Sequence, residues 1–229
     1  MNLQDLRKKD IIAAKADISA SLGIDNYIIQ MVAHIEDLDS VLNKLVKRFR
    51  DWYELVMPEL SRAHHDHSEF IKLAVDMTRK EGSMGRAYTH EDLAGLEVLR
   101  SEIAHLYVVK DEQIGRLEGL MEREYPNTCA LAGGLLAAKL IRIAGSMKKF
   151  MIMPASTVQT LGAEKALFRH LRSGAKSPKY GLLLAHPYVA EGENKGKNAR
   201  SMADKIALAA KVDYFKGDFV GDKLKESLR

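Results

Sequence analysis

The sequence has 229 residues, 46% of them hydrophobic, and one cysteine, Cys129; this supports one or two folded domains and excludes a disulfide framework or a cysteine-based zinc site. The formal net charge of +4 hides an asymmetry, because residues 1–125 carry 17 Lys/Arg against 23 Asp/Glu (net −6) and residues 126–229 carry 18 against 8 (net +10). A basic surplus of that size suits a polyanion, whose counterions are released on binding; the competing reading is a solvated basic face with no specific partner.

In chain order, residues 1–26 read as a short N-terminal segment with no apolar core of the kind a secretory signal needs, and a reducing, cytoplasmic setting fits. From residue 27 a seven-residue repeat begins. Ile28, Ile35, Leu42, Phe49 and Val56 form one row, and Met31, Leu38, Leu45 and Trp52 the other, which together predict a coiled-coil seam. Pro58 is expected to stop that helix near Met57. A second long helix is predicted from about Glu91 to Tyr125, with Leu96, Leu99, Ile103, Leu106, Leu117 and Leu120 in phase and Lys110 and Gln113 interrupting the middle. Thr89 or Asp92 is placed to cap it. Two such helices bury their stripes most simply as an antiparallel pair, an arm over residues 27–125 whose tip includes the glycine turn EGSMGR at 81–86.

YPN at 125–127 marks a change of regime, and residues 126–229 read as a compact helical domain. Helices are predicted at about 128–150, 157–161, 163–171 and 199–211, separated by the polar loops RSGAKSPKYG and EGENKGKN. The apolar run from Cys129 to Met147 is interrupted by Lys139 and Arg142, so it reads as a buried amphipathic helix and not as a membrane span. The fold class is all-α: a long antiparallel coiled-coil arm followed by a compact helical domain.

The stretch MPASTVQTLGAEKALFRHLRSG concentrates the chemistry. Ser156 and Thr157 can cap a helix, Gly162 interrupts the pattern, and a new helix starts at Ala163, presenting free N–H groups suited to phosphate oxygens. Lys165, Arg169 and Arg172 share one face of it, and Leu167 and Leu171 are expected to anchor the opposite side in the core. Glu164 can orient the neighbouring cations, accept from an exocyclic base amine, or simply complement the helix dipole. Beyond it, Tyr180 can stack on an unpaired base while Lys179 meets its phosphate. Lys195, Lys197 and Arg200 extend the basic patch, and His170 reads as a satisfied core or interface histidine.

The run MPASTVQTLGAEKALFRHLRSGAKSPKYG, with LAGGLLAAKLIRIAGSMKKF before it and GKNARSMADKIALAAKVDYF after it, resembles the signature of the Nop domain family. These are archaeal and eukaryotic scaffold proteins of box C/D RNA-guided methylation particles and, more distantly, a spliceosomal tri-snRNP protein. FRDWYELVMPEL is similar to the family's usual first-helix ending, so the resemblance runs from about Tyr27 through most of the chain. It implies a non-enzymatic RNA–protein assembly factor without cofactor or metal. Such a factor binds a kink-turn of guide RNA only after a small kink-turn-binding protein has bent it, and self-associates as a homodimer through its coiled coil. By the same resemblance the RNA-facing residues are Gly162, Ala163, Glu164, Lys165, Arg169, His170, Arg172, Lys179 and Tyr180. Family members also recruit fibrillarin, the methyltransferase, through an amino-terminal domain; with about 26 residues ahead of the arm, fibrillarin recruitment by this chain is not expected.

Two other classes stay open on the residues alone. STVQTLGAEKALFRHLR has the spacing of a helix-turn-helix that reads duplex DNA, although Glu164 and Lys165 lack the Asn, Gln or Arg set that usually reads base edges. A protein-only dimerisation scaffold is the other. HHDH at 64–67 invites a metal reading, but adjacent histidines rarely converge and no second ligand cluster accompanies them. Ser83 lies outside a nucleophile-elbow context, no phosphate-loop pattern exists, and Met147, Met151 and Met153 read as plastic core.

Overall fold

The computed structural model describes residues 3–75 and 79–228, and among them there are helices and turns but no strand. In chain order the helices are α1 (Leu3–Ser21), α2 (Ile24–Tyr53), α3 (Pro58–Ala63), α4 (His67–Leu73), α5 (His90–Glu124), α6 (Pro126–Ala132), α7 (Gly134–Ala144), α8 (Met147–Ile152), α9 (Ala155–Thr160), α10 (Glu164–Ser173), α11 (Pro187–Ala190), α12 (Lys195–Tyr214) and α13 (Gly221–Glu226), with a 3-10 turn at Leu182–Ala185. The chain divides into two compact units, residues 33–116 and residues 1–32 with 117–229.

The first unit is a helical hairpin. Asp39 of α2 meets Lys110 of α5, and Trp52 of α2 lies over Gly95 of α5, so the two helices run antiparallel. On α2 the row Ile28, Ile35, Leu42 and Phe49 is buried, as is Val56 in the turn that follows, but its companion row is displaced by one residue from the expected one. Val32, Val46 and Tyr53 are buried, while Met31, Leu38 and Leu45 are half-buried and Trp52 is 40% exposed. The expected row is apolar throughout and the buried one is apolar except at Asp39, so the helix repeat alone favours the wrong row; α5 selects the other by facing it. Asp39 occupies a slot of the selected row, and its carboxylate takes Lys110 Nζ at 2.7 Å. The lysine that interrupts the apolar stripe of α5 therefore has its partner across the hairpin, a pairing that fixes register.

Thr89 and Asp92 cap α5 reciprocally: the Asp92 N–H donates to Thr89 Oγ1 at 3.2 Å and the Thr89 N–H to Asp92 Oδ2 at 3.0 Å. At the same end of the hairpin α2 stops at Tyr53, earlier than Pro58 requires, because a turn over residues 54–57 intervenes and Pro58 becomes the first residue of α3. Phe49, Tyr53 and Phe70 stack there with ring centroids 5.5–5.7 Å apart.

The second unit adds one element to the expected set and corrects two expectations. The N-terminal segment contains a helix, α1, whose described side chains are exposed. The single helix expected at 128–150 is three helices: Gly133, at φ +76°, breaks α6 from α7 with a bend of 112°, and Gly145 and Ser146 end α7 and cap α8. No single helix among the described residues is long and apolar enough to cross a membrane. Finally, α9 begins after Pro154 without a side-chain cap, so Ser156 and Thr157 lie inside the helix and do not cap it.

What holds this unit is a buried carboxylate. Asp213, 3% exposed near the end of α12, accepts from the Asn127 N–H (3.0 Å) and Nδ2 (2.8 Å) and from the Thr128 N–H (2.8 Å) and Oγ1 (2.7 Å) at the start of α6. Asn127 Oδ1 in turn accepts from the Val220 N–H at 2.6 Å, which ties the chain before α13 to the same point. Asp213→Ala leaves those donors buried without an acceptor. It is expected to cost about 3–5 kcal/mol in urea unfolding followed by circular dichroism.

Candidate nucleic-acid interface

The turn between α9 and α10 is built by backbone pairing with a distant loop. The Gly181 N–H donates to Gln159 O at 3.0 Å and the Leu182 N–H to Leu161 O at 2.8 Å, while Gln159 Nε2 donates to Lys179 O at 2.5 Å. Gly181 allows this approach, since a Cβ there would lie 1.9 Å from Leu161 O. Gly162 takes φ +85° directly over Leu182. The Lys179–Leu182 segment is thereby pinned to the end of α9, immediately before Gly162, with the Gln159 side chain holding the Lys179 carbonyl.

Glu164 is engaged locally: its Oε1 accepts the Gly162 N–H at 2.7 Å and closes the turn that precedes its own helix. His170 is also held locally, with Nδ1 donating to Ala175 O. This bond and the left-handed Gly174 that ends α10 shape the loop leading to Lys176.

That loop and α12 enclose an open groove of about 670 Å³, lined by Gln159, Lys176, Lys179, Asn194, Lys197 and Arg200 among others. Asn194 caps α12 by accepting the Lys197 N–H at 3.1 Å, so the first turn of a 20-residue helix opens onto the groove. The Lys179 stem crosses Gly196, where a Cβ would sit 3.5 Å from Lys179 Cδ. Lys176, Lys179, Lys197 and Arg200 are exposed, no Asp or Glu lines the groove, and no ion pair engages these cations among the described residues. Such a cleft concentrates positive potential and suits successive phosphates of one strand.

The other expected residues lie apart from it. Lys165, Arg169 and Arg172 are exposed along α10, which does not line the groove, and Tyr180 is half-buried behind Lys179. The anchoring of α10 through Leu167 and Leu171 is corrected: no residue of α10 is buried, Leu167 is half-buried, and Leu171 and Phe168 are 71% and 64% exposed. The helix is held by its ends, through the Gly162 turn and the His170–Ala175 contact, which frees its apolar side chains. Lys176 and Gln159 had drawn no attention in the sequence; the sole hint was that Lys176 sits between Gly174 and Pro178, where a loop must turn.

The family model described as "Nop: snoRNA binding domain, fibrillarin" matches residues 34–82 and 72–229. A NOP5 family protein of Methanocaldococcus jannaschii is 39% identical over 230 residues, covering 89% of this chain and 55% of its own. Nucleolar protein 58 of Schizosaccharomyces pombe is 36% identical over 247 residues, covering 92% and 49%. The chain thus spans about half the length of these relatives. Among solved structures, the crystal structure of a fibrillarin/Nop5p complex is similar with a TM-score of 0.62 and 28% identity, over 99% of this chain and 75% of that one.

The pinned turn generates a direct test. Gly181→Ala must push Leu161 O away, so it is expected to lower stability by more than about 2 kcal/mol. Gly174→Ala, with nothing within 4 Å of its Cβ position, pays only for its left-handed backbone. It is expected to cost about 1 kcal/mol, both variants being compared by chemical denaturation.

Proposed function

The chain belongs to the Nop domain family, and we propose that it is a non-enzymatic scaffold of box C/D ribonucleoprotein particles. It binds a kink-turn of guide RNA already bent by a small kink-turn-binding protein, and methyl transfer belongs to a partner. The observation that carries this reading is the acid-free groove of Lys176, Lys179, Lys197 and Arg200 beside the pinned α9–α10 turn. Cations without counter-acids, two on a loop tied down by backbone hydrogen bonds and two on the first turns of α12, suit a ribose-phosphate strand whose shape is set beforehand.

The composite character of the target is supported by α10. Phe168 and Leu171 are exposed on the same short helix as Lys165, Arg169 and Arg172, an apolar and cationic mixture that fits a protein–RNA junction better than bare RNA. The duplex-DNA reading is weakened by two features. Glu164 spends a carboxylate oxygen on the Gly162 N–H, and the groove is formed largely by the 176–179 loop and α12, outside the two helices that such a reader would use.

Self-association is assigned to the outward row of α2. Leu38 and Leu45 are half-buried and Val41, Trp52 and Leu55 are 44%, 40% and 53% exposed, an apolar strip left over after α5 has covered the other rows. Fibrillarin enters as a candidate partner because the similar solved structure is a complex with it, which revises the expectation drawn from the length ahead of the arm. Co-purification of the chain with fibrillarin tests that assignment.

A gel shift on kink-turn RNA with and without its small binding protein is expected to give a complex with this chain only in the protein's presence. The variant carrying Lys179→Glu and Arg200→Glu is expected to lose at least about tenfold in affinity and to show a salt slope shallower by about 1–2. Unchanged binding by that variant overturns the RNA assignment. For the arm, Val41→Asp is expected to shift a dimer towards monomer in sedimentation analysis while helicity is retained.

A further inference from the structure

We propose that Arg50 and His67 form a proton-sensitive clasp that fastens the α3–α4 segment to the end of α2 and opens when the His67 ring is protonated. The clasp accounts for the HHDH stretch, which the RNA reading leaves unused. Arg50, in the last turn of α2, donates from Nε to His67 Nδ1 at 3.2 Å. Its Nη1 donates to Ser61 O at 2.9 Å, and its Nη2 to His64 O at 2.7 Å and Asp66 O at 3.1 Å. The guanidinium also lies 4.0 Å from the centroid of the Phe70 ring. One side chain therefore satisfies the carbonyls of the link between α3 and α4 and stacks on the aromatic that α4 buries.

His67 is the titratable member of this set. Its Nδ1 accepts from Arg50, so that nitrogen must carry no proton. Protonation would set two N–H groups head-on and add a positive charge beside Arg50 and Lys47 of α2. The surrounding acids offer little relief. Asp66 favours the charged ring, yet its Oδ1 already accepts the Glu69 N–H at 2.7 Å; Glu54 accepts from Ser61 Oγ, and Asp39 is paired with Lys110. Tyr107 and Lys110 of α5 complete the cleft beside the ring, and His65 lies next in the loop. His64 Nδ1 lies 3.5 Å from Glu69 Oε1.

Burial, followed by the charges of Arg50 and Lys47, holds the His67 ring below its ordinary value of 6.5. The unfolded chain therefore takes up the proton first. The stabilisation is complete above about pH 6.5 and declines as pH falls through and below that value. The fastened segment covers the Phe49, Tyr53 and Phe70 cluster, so its release would expose apolar surface at that end of the hairpin.

The test is nuclear magnetic resonance of the nitrogen-labelled full chain from about pH 7.5 to about pH 5. At the upper end a scalar coupling between Arg50 Nε and His67 Nδ1 across their hydrogen bond is expected. More than half of the Arg50 Nε–H signal should move to a solvent-like position as His67 titrates. His67→Gln keeps an oxygen acceptor for Arg50 and has no proton to gain, so its Arg50 signal is expected to stay fixed. Absence of the coupling at the upper pH, a wild-type signal unmoved at the lower pH, or the same transition in His67→Gln overturns the clasp.

Discussion

Asp213 accepts four hydrogen bonds from two consecutive residues at the start of α6, and much of the second unit is arranged around that contact. A carboxylate removed from water is tolerated only where donors replace its hydration, and here backbone and side-chain donors of Asn127 and Thr128 do so together. Because Asn127 also accepts from Val220, α6, α12 and the approach to α13 are joined at one point. The same α12 packs against α6, α8 and α9 along its length and opens onto the basic groove at its other end. A 20-residue helix is a rigid rod of about 30 Å, so anchoring its C-terminal end and its flanks fixes where Lys197 and Arg200 stand. Preorganisation of the cationic surface thus begins at a buried acid at the opposite end of the same helix.

The groove itself follows from a second economy. Instead of burying α10 by an apolar face, the chain ties the turn before it to the Lys179–Leu182 segment through main-chain hydrogen bonds. Glycine at 181 is what lets the two backbones meet. The apolar side chains of α10 remain at the surface, available together with its cations, and the carboxylate of Glu164 serves the turn. In the hairpin the division of labour is similar: one pair of rows on α2 is spent on α5, and the leftover row stays outward.

Several features were legible beforehand. The all-α class, the two long antiparallel helices, the capping of α5 by Thr89 and Asp92, and the concentration of basic charge after Tyr125 were all written in short-range patterns. So was membership of the family, since GAEKALFRHL and its flanking runs are long and specific. Those signals survive because helix periodicity, caps and charge content depend on residues within a few turns of each other.

What stayed hidden depended on partners distant in sequence. Which companion row of α2 is buried was decided by α5, because the buried row carries Asp39 and becomes acceptable only where Lys110 faces it. Lys110 looked like an interruption until Asp39 stood opposite it, 71 residues away. HHDH, set aside as a metal site, had no role until Arg50 stood against its carbonyls and one imidazole nitrogen. Asp213 and the glycine at 181 were invisible for the same reason. Composition and periodicity set which helices form and which half carries the charge, whereas tertiary contact alone selects where each polar side chain finds its counterpart, since that choice is made across space by desolvation and close approach.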